Sequence, residues 1–282
     1  MRPPRWLRFI LLGIAAIVAI ALVVLYGGSE YMLRGRHPLA GKALTLPTDS
    51  ASLAEGQHLV LLRGCFGCHG EGGKGGAFFD EPNIATIVAP NLTKAFATYS
   101  DAELDGIIRH GVRPNGRALL GMPSAAFTRL RDEDLARMMA FIRSVPPSDG
   151  PGPSVSVGPL GRLGLLTGQF SVATKLVAEV ANAPVQSVPD SLVEGSYLAH
   201  TICTECHGPN LEGDPGFAVP ALAIAATYTW PEFETLMRTG KARGNRELKL
   251  MSEVARGRFS QFTPTELQAL FSYLKTLGTT PG

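Results

Sequence analysis

Outside two five-residue stretches, Cys65–His69 and Cys203–His207, this chain of 282 residues has no cysteine. No thiol is left for a nucleophile or a disulfide framework elsewhere. A Ser-His-Asp order and a phosphate-binding loop are also missing, so there is no dedicated catalytic constellation and no catalytic residue is assigned. Charge is absent from Phe9 to Tyr26. Acidic residues are scarce at the start: residues 1 to 45 hold six of the 26 basic side chains but one of the 24 acidic ones. The remainder therefore has 20 basic and 23 acidic residues, a net charge of −3 that gives nucleic-acid binding no support.

The two stretches read Cys65-Phe66-Gly67-Cys68-His69 and Cys203-Thr204-Glu205-Cys206-His207. Each is C-x-x-C-H, the attachment sequence of c-type haem. Two thiols three positions apart reach the two vinyl groups of one porphyrin, and the histidine that follows turns its imidazole toward the iron. A zinc ribbon would also use two CxxC pairs, though rarely so far apart and without needing the histidines. A dithiol at this spacing could serve redox exchange. Haem accounts for all four cysteines and both histidines together.

Extending the uncharged run back to Leu7 gives a helix of about 30 Å, enough to cross a hydrocarbon core. A cleaved secretory signal has a shorter apolar region, about 7–15 residues, ending at a small-residue site. Here the run ends in Val23-Val24-Leu25-Tyr26, which favours a retained anchor. Arg2, Arg5 and Arg8 before it are matched by Arg34, Arg36 and Lys42 after it, so the positive-inside count is a tie. The resemblance of the CxxCH motifs to those of c-type haem proteins, whose haem is attached outside the cytoplasmic membrane, breaks it: the haem domains are expected on the periplasmic side of a bacterial cytoplasmic membrane, in a single-pass topology.

The two halves repeat. A shift of 138 residues superposes the CxxCH motifs; a shift of 129 carries Ile108-Arg109-His110-Gly111 onto Met237-Arg238-Thr239-Gly240, and Met122 onto Met251. With a shift of 132, Phe127 meets Phe259, Leu130 meets Phe262, and the helical spacing of Leu135, Met138, Met139 and Ile142 recurs in Leu267, Leu270, Phe271 and Leu274. Asp132 and Thr263 are expected to cap these last helices.

Each copy resembles a class I cytochrome c domain: a first helix (Leu53 to Leu62; Leu192 to Thr201), CxxCH, a loop with proline, a middle helix, a loop with methionine and a last helix. The resemblance implies an all-α protein, two tandem class I cytochrome c domains joined by a spacer and preceded by a transmembrane helix. The expected division is 1–28 anchor, 29–48 linker, 49–147 first domain, 148–188 Pro/Gly-rich spacer and 189–282 second domain. Two covalently bound haem c groups follow, on Cys65, Cys68 and His69 and on Cys203, Cys206 and His207. The resemblance also implies that Pro90 and Pro220 lend their carbonyls to the proximal histidines, and that Met122 and Met251 are the distal iron ligands. Lys249 is a competitor for the second iron. His37, His58, His110 and His200 read as solvated or packed residues. The stretch from Leu160 to Val180 is apolar enough to pack across the domain interface.

Iron held by histidine and methionine has no vacant position, so the expected function is single-electron relay rather than catalysis. Expected partners are an upstream dehydrogenase or quinol-oxidising complex, a downstream cytochrome or oxidase, and the membrane. The alternatives are a dihaem enzyme with one open iron, peroxidase-like or acting on sulfur compounds, and a subunit that anchors a dehydrogenase.

Overall fold

The computed structural model describes residues 4–278. Residues 1–3, counted with the anchor, and residues 279–282 at the end of the second domain lie outside the described residues.

Apolar side chains on every face of Arg5–Arg34 leave no stripe to turn toward a core, and the segment is one continuous helix of 30 residues, apolar and long enough to cross a membrane. Its backbone loosens to a π-helix at Val23–Gly28, where Gly27 and Gly28 stand, and resumes α geometry over Ser29–Arg34.

In the first repeat, the Asp49 side chain accepts from Ser52 N at 2.9 Å and starts the helix Ser50–Leu62. Asp101–His110 begins with a capping box between Ser100 and Glu103 and ends on Gly111, at φ 65°. The last helix spans Asp132–Ser144. The first helix crosses it at Gly56, where a Cβ would lie 2.1 Å from the Arg137 carbonyl oxygen. Only glycine lets the two backbones approach that closely.

The second repeat uses the same devices. A Thr229–Glu232 capping box opens Trp230–Thr239, and Gly240 closes it at φ 73°. A Cβ on Gly195 would lie 2.1 Å from Ala269 O, the counterpart of the first crossing. Arg109 donates to Leu130 O at 2.8 Å, and Arg238 donates to the carbonyl of Phe262, the residue matched to Leu130. The first helix differs: Val193–Leu198 runs into a π-helix, Ala199–Cys203, which leads straight into Thr204–His207. Gly195 stands eight residues before its motif cysteine, where Gly56 stands nine before Cys65.

Thr263 caps Pro264–Leu277, with Pro264 at the first position and a capping box to Glu266. Asp132 does not cap its helix. The N-cap is Arg131, and the Asp132 carboxylate is taken by Lys42 at 2.7 Å and Arg109 at 2.8 Å.

To the helical frame the fold adds a small antiparallel sheet: β1 (Gly76–Glu81), β2 (Ala85–Ala89) and β3 (Ser154–Val157). Ile87 pairs with Phe79 on one side and Val155 on the other. The β-branched run Thr86-Ile87-Val88 suits the central position. Because β3 comes from the spacer, that segment is tied to the first repeat. Its helices, Pro159–Thr167 and Ala173–Asn182, follow suit: the first packs on the base of the anchor helix, the second on Ser124–Phe127 and Asp101–His110. Leu160 to Val180 thus packs on the first repeat and the anchor, where a bridge between the repeats was expected.

The repeats meet directly and nearly symmetrically. The first helix of each packs on the turn before the last helix of the other, Ser50–Leu62 on Phe259–Gln261 and Ala199–Cys203 on Ser124–Phe127. Leu62 is buried in the second repeat's core, while Tyr197 packs against the first repeat's core.

Candidate haem sites

The first site begins at a turn that needs glycine, and both sites end at one. Gly64 at φ 70° enters the helical turn Cys65–His69, and Gly70 at φ 71° leaves it; Gly208, at φ 75°, leaves the second. The chain then folds back, Gly75 N donating to His69 O at 2.7 Å and Gly213 N to His207 O at 2.9 Å.

That fold-back brings a proline carbonyl to each imidazole. His69 Nδ1 lies 2.8 Å from Pro90 O, and His207 Nδ1 lies 2.8 Å from Pro220 O. A carbonyl can only accept, so Nδ1 carries the proton and Nε2 keeps its lone pair. Burial pushes both imidazoles below their ordinary value, against the opposing pull of the proline bond. They are neutral at neutral pH, the state in which imidazole coordinates a metal.

Cys65, Cys68, His69, Pro90 and Met122 all line one cavity of about 800 Å³. That volume lies in the range of cofactor sites. Apolar groups such as Leu104, Ile108 and Phe127 dominate its wall, and the spacer covers part of it through Gly150–Val155. Burial raises the Cys65 thiol to about 11 and the Cys203 thiol to about 12, and raises Cys68 and Cys206 as well. All four are therefore protonated at neutral pH. Among the described residues no three His, Cys, Asp or Glu side chains gather to hold a metal ion, so the two CxxC pairs do not form a zinc ribbon.

Met122 lies in the loop before Pro123 and packs on the first core beside Cys65. Met251 packs on the second core, as Cys203 does, but from the first turn of a helix, Leu250–Gly257, instead of a loop. Lys249 caps that helix with its backbone at φ 47°, a strained conformation for a residue with a side chain.

Several cavity residues were not legible in the sequence. Arg258 and Glu205, both of the second repeat, stand in the wall of the first repeat's cavity. They pair at 2.8 Å, and the Arg258 stem lies where a side chain on Gly64 would be. Arg63 and Arg113 also line the cavity. Arg63 is 2 % exposed, yet its Nε and Nη1 have no partner among the described residues. Burial lowers the Arg113 pKa, with Tyr99 opposing the effect and Arg117 adding to it. An apolar pocket with buried cations on its wall fits a flat apolar group bearing carboxylates. No periodic pattern marks these arginines in the sequence; only Glu205 carried a signal, through its place inside the second motif.

The family model for cytochrome c matches residues 53–146 and 192–278. The chain is 28 % identical, over 86 % of its length, to the cytochrome c subunit of a quinone alcohol dehydrogenase from Gluconacetobacter polyoxogenes, and covers 60 % of that protein. It is 25 % identical to the fructose dehydrogenase cytochrome subunit of Gluconobacter japonicus, covering 58 % of it. A dihaem c-type cytochrome of Cereibacter sphaeroides is 26 % identical, with 67 % of this chain and 68 % of that protein aligned. The chain thus spans about three-fifths of the length of these two dehydrogenase subunits. With the family matched in both repeats and a proline-anchored histidine closing each CxxCH motif, the chain belongs to the cytochrome c family, an electron-transfer protein with two covalently bound haem c groups.

Proposed function

We propose that this protein is a membrane-anchored dihaem cytochrome that relays single electrons on the periplasmic side of a bacterial cytoplasmic membrane. Its donor would be a quinone-linked dehydrogenase or a quinol-oxidising complex, and its acceptor a downstream cytochrome or oxidase. The relatives that bear dehydrogenase names support the donor class. The apolar helix Arg5–Arg34 supports the anchor.

Cys65 and Cys68 would attach the first haem, with His69 and Met122 as its axial ligands; Cys203, Cys206, His207 and Met251 would do the same in the second. The domain limits are taken as 49–147 and 189–282, with 148–188 between them. Haem c supplies a one-electron couple that needs no proton or group transfer. The protein holds and tunes it. Pro90 and Pro220 fix their imidazoles and raise their basicity through Nδ1–H. The apolar wall limits water, and the cations Arg63, Arg113 and Arg258 favour the reduced, less positive state.

The observation that carries this reading is the duplicated arrangement itself: histidine on proline carbonyl at 2.8 Å in both repeats, with a methionine from the matching position on each core. On this reading both irons would be six-coordinate and closed to substrate. The test is the optical spectrum of the reduced holoprotein with and without carbon monoxide. Two haems per chain and no shift on adding the gas are expected. A shift from half of the haem would mean one open iron and sink the pure relay reading.

A further inference from the structure

We propose that the spacer helix Pro159–Thr167 is a second membrane contact, lying in the lipid interface beside the anchor with Leu160, Leu163, Leu166 and Phe170 among the acyl chains. The inference rests on the reading of Arg5–Arg34 as membrane-spanning.

The anchor's own aromatic residues set the depth. From Trp6 to Tyr26 is 20 residues, a rise of about 30 Å, equal to a hydrocarbon core with an aromatic residue at each interface. Tyr26 is therefore placed at headgroup level, and the spacer helix is fastened at that level. The Arg162 guanidinium carbon lies 4.8 Å from the Tyr26 ring centroid. Its Nη1 donates to Ser29 Oγ at 2.8 Å and its Nη2 to Glu30 at 2.7 Å. A Cβ on Gly28 would come within 3.0 Å of Leu166 Cδ2, and Ser29 is fully buried at the joint.

The two faces of the helix differ in kind. Gly161 and Leu165 are buried, and a Cβ on Gly161 would lie 2.0 Å from Ile84 O, so this face is seated tightly on the first repeat; Gly164 is covered by the Phe170 ring, 2.2 Å from where its Cβ would lie. On the other side Leu160, Leu163 and Leu166 are 58 %, 50 % and 36 % exposed, and past the helix end Phe170, folded over Gly164, keeps 37 % of its surface exposed. The leucines recur every three residues and form one stripe. Arg162 is the sole charged residue from Pro159 to Phe170, and its charge is spent on the anchor. An uncharged leucine stripe continuous with a fully exposed apolar helix matches a bilayer, the solvent that already surrounds that helix. A protein cover in place of lipid is an outcome the test must separate.

The experiment uses the full-length holoprotein in vesicles of phosphatidylethanolamine and phosphatidylglycerol. Single nitroxide labels are placed through Leu163→Cys, Ile14→Cys and Phe217→Cys, with two haems per chain confirmed in each variant. Collision rates with oxygen and with a water-soluble nickel chelate are then compared. The label at 14 should be lipid-accessible, the label at 217 water-accessible, and the label at 163 should show raised oxygen and suppressed nickel collisions relative to 217. A water-accessible 163 with a lipid-accessible 14 overturns the second contact and leaves the anchor standing. Suppression of both probes at 163 means protein covers the stripe, which also overturns it. A water-accessible 14 overturns the anchor reading on its own. Phe170→Cys repeats the measurement should Leu163→Cys not assemble.

Discussion

His58 Nε2 lies 2.9 Å from Glu266 Oε1, and this pair joins the first helix of one repeat to the last helix of the other. The reverse contact is made by Tyr197, whose hydroxyl donates to Asp134. His58 and Tyr197 each stand two residues after the glycine at which their helices cross, Gly56 and Gly195; Asp134 and Glu266 are each the third residue of a last helix. The two repeats therefore clasp each other through equivalent positions, once with a titratable base and once with a phenol.

Only the His58 side of this clasp responds near neutral pH. The hydrogen bond to Glu266 raises the His58 pKa above 6.5, outweighing partial burial, with Glu55 adding to the effect and Arg63 opposing it. Glu266 is raised by burial, but His58 and the Thr263 cap together bring it below 4.5. The histidine contribution is complete below 6.5 and disappears as pH rises through its higher folded value; the glutamate contribution is present above 4.5 and disappears as pH falls through its lower folded value. Stability from the pair is thus greatest between these limits. His58→Gln should lower the thermal midpoint of the holoprotein around pH 5.5–6 by the equivalent of about 1–2 kcal/mol and by less at pH 9. An equal loss at both pH values would show that the pair is not the source.

Gly56 and Gly195 are expected to tolerate no side chain. An alanine methyl would sit 2.1 Å from a carbonyl oxygen in either crossing, so the helices must separate. Overpacking of this kind costs about 1–3 kcal/mol. Gly56→Ala should reduce stability and haem loading in the first repeat, and Gly195→Ala in the second. The check is haem stoichiometry with the thermal midpoint of each variant. Unchanged midpoints in both would mean that the crossings can open freely.

Arg258 should let the second repeat set the potential of the first haem. It reaches into the first cavity's wall and balances Glu205 there, so Arg258→Gln removes a cation and leaves a carboxylate uncompensated. Both changes favour the oxidised, more positive state. The first haem's potential should fall by the equivalent of about 1 kcal/mol at an effective dielectric near 20, about 40 mV for a one-electron couple. A spectroelectrochemical titration resolves the couples. No change in either one would remove Arg258 from the tuning of the site.

The residues legible in the sequence were those whose chemistry demands a fixed spacing. Within each repeat the CxxCH histidine and its proline were legible together, and the structure sets His69 on Pro90 O and His207 on Pro220 O. Contacts made between repeats have no such periodicity. His58 read as a bland histidine because its partner is 208 residues away. The spacer was misplaced for a related reason: its apolar residues are consistent with any buried face, and the strand Ser154–Val157 that ties it to the first repeat is too short to announce itself.

The methionines offer the sharpest test of the two sites, because their surroundings differ while their proposed role is the same. Met122 is held in a loop by Pro123, whereas Met251 sits on a helix that starts from strained Lys249. Met122→Ala should leave both haems attached, since Cys65 and Cys68 are untouched, but should lower the first potential and let carbon monoxide bind about half of the reduced haem. Met251→Ala should do the same to the second haem. Should Lys249 instead replace the thioether when Met251 is lost, carbon monoxide binding at the second haem would be weak in the single variant and restored by adding Lys249→Ala. The measurement is the reduced spectrum with carbon monoxide for the two single variants and the Met251/Lys249 double variant. A Met251→Ala protein with an unaltered spectrum and potential would remove Met251 from the iron, while the same result for Met122→Ala would break the equivalence of the two sites at its firmer end.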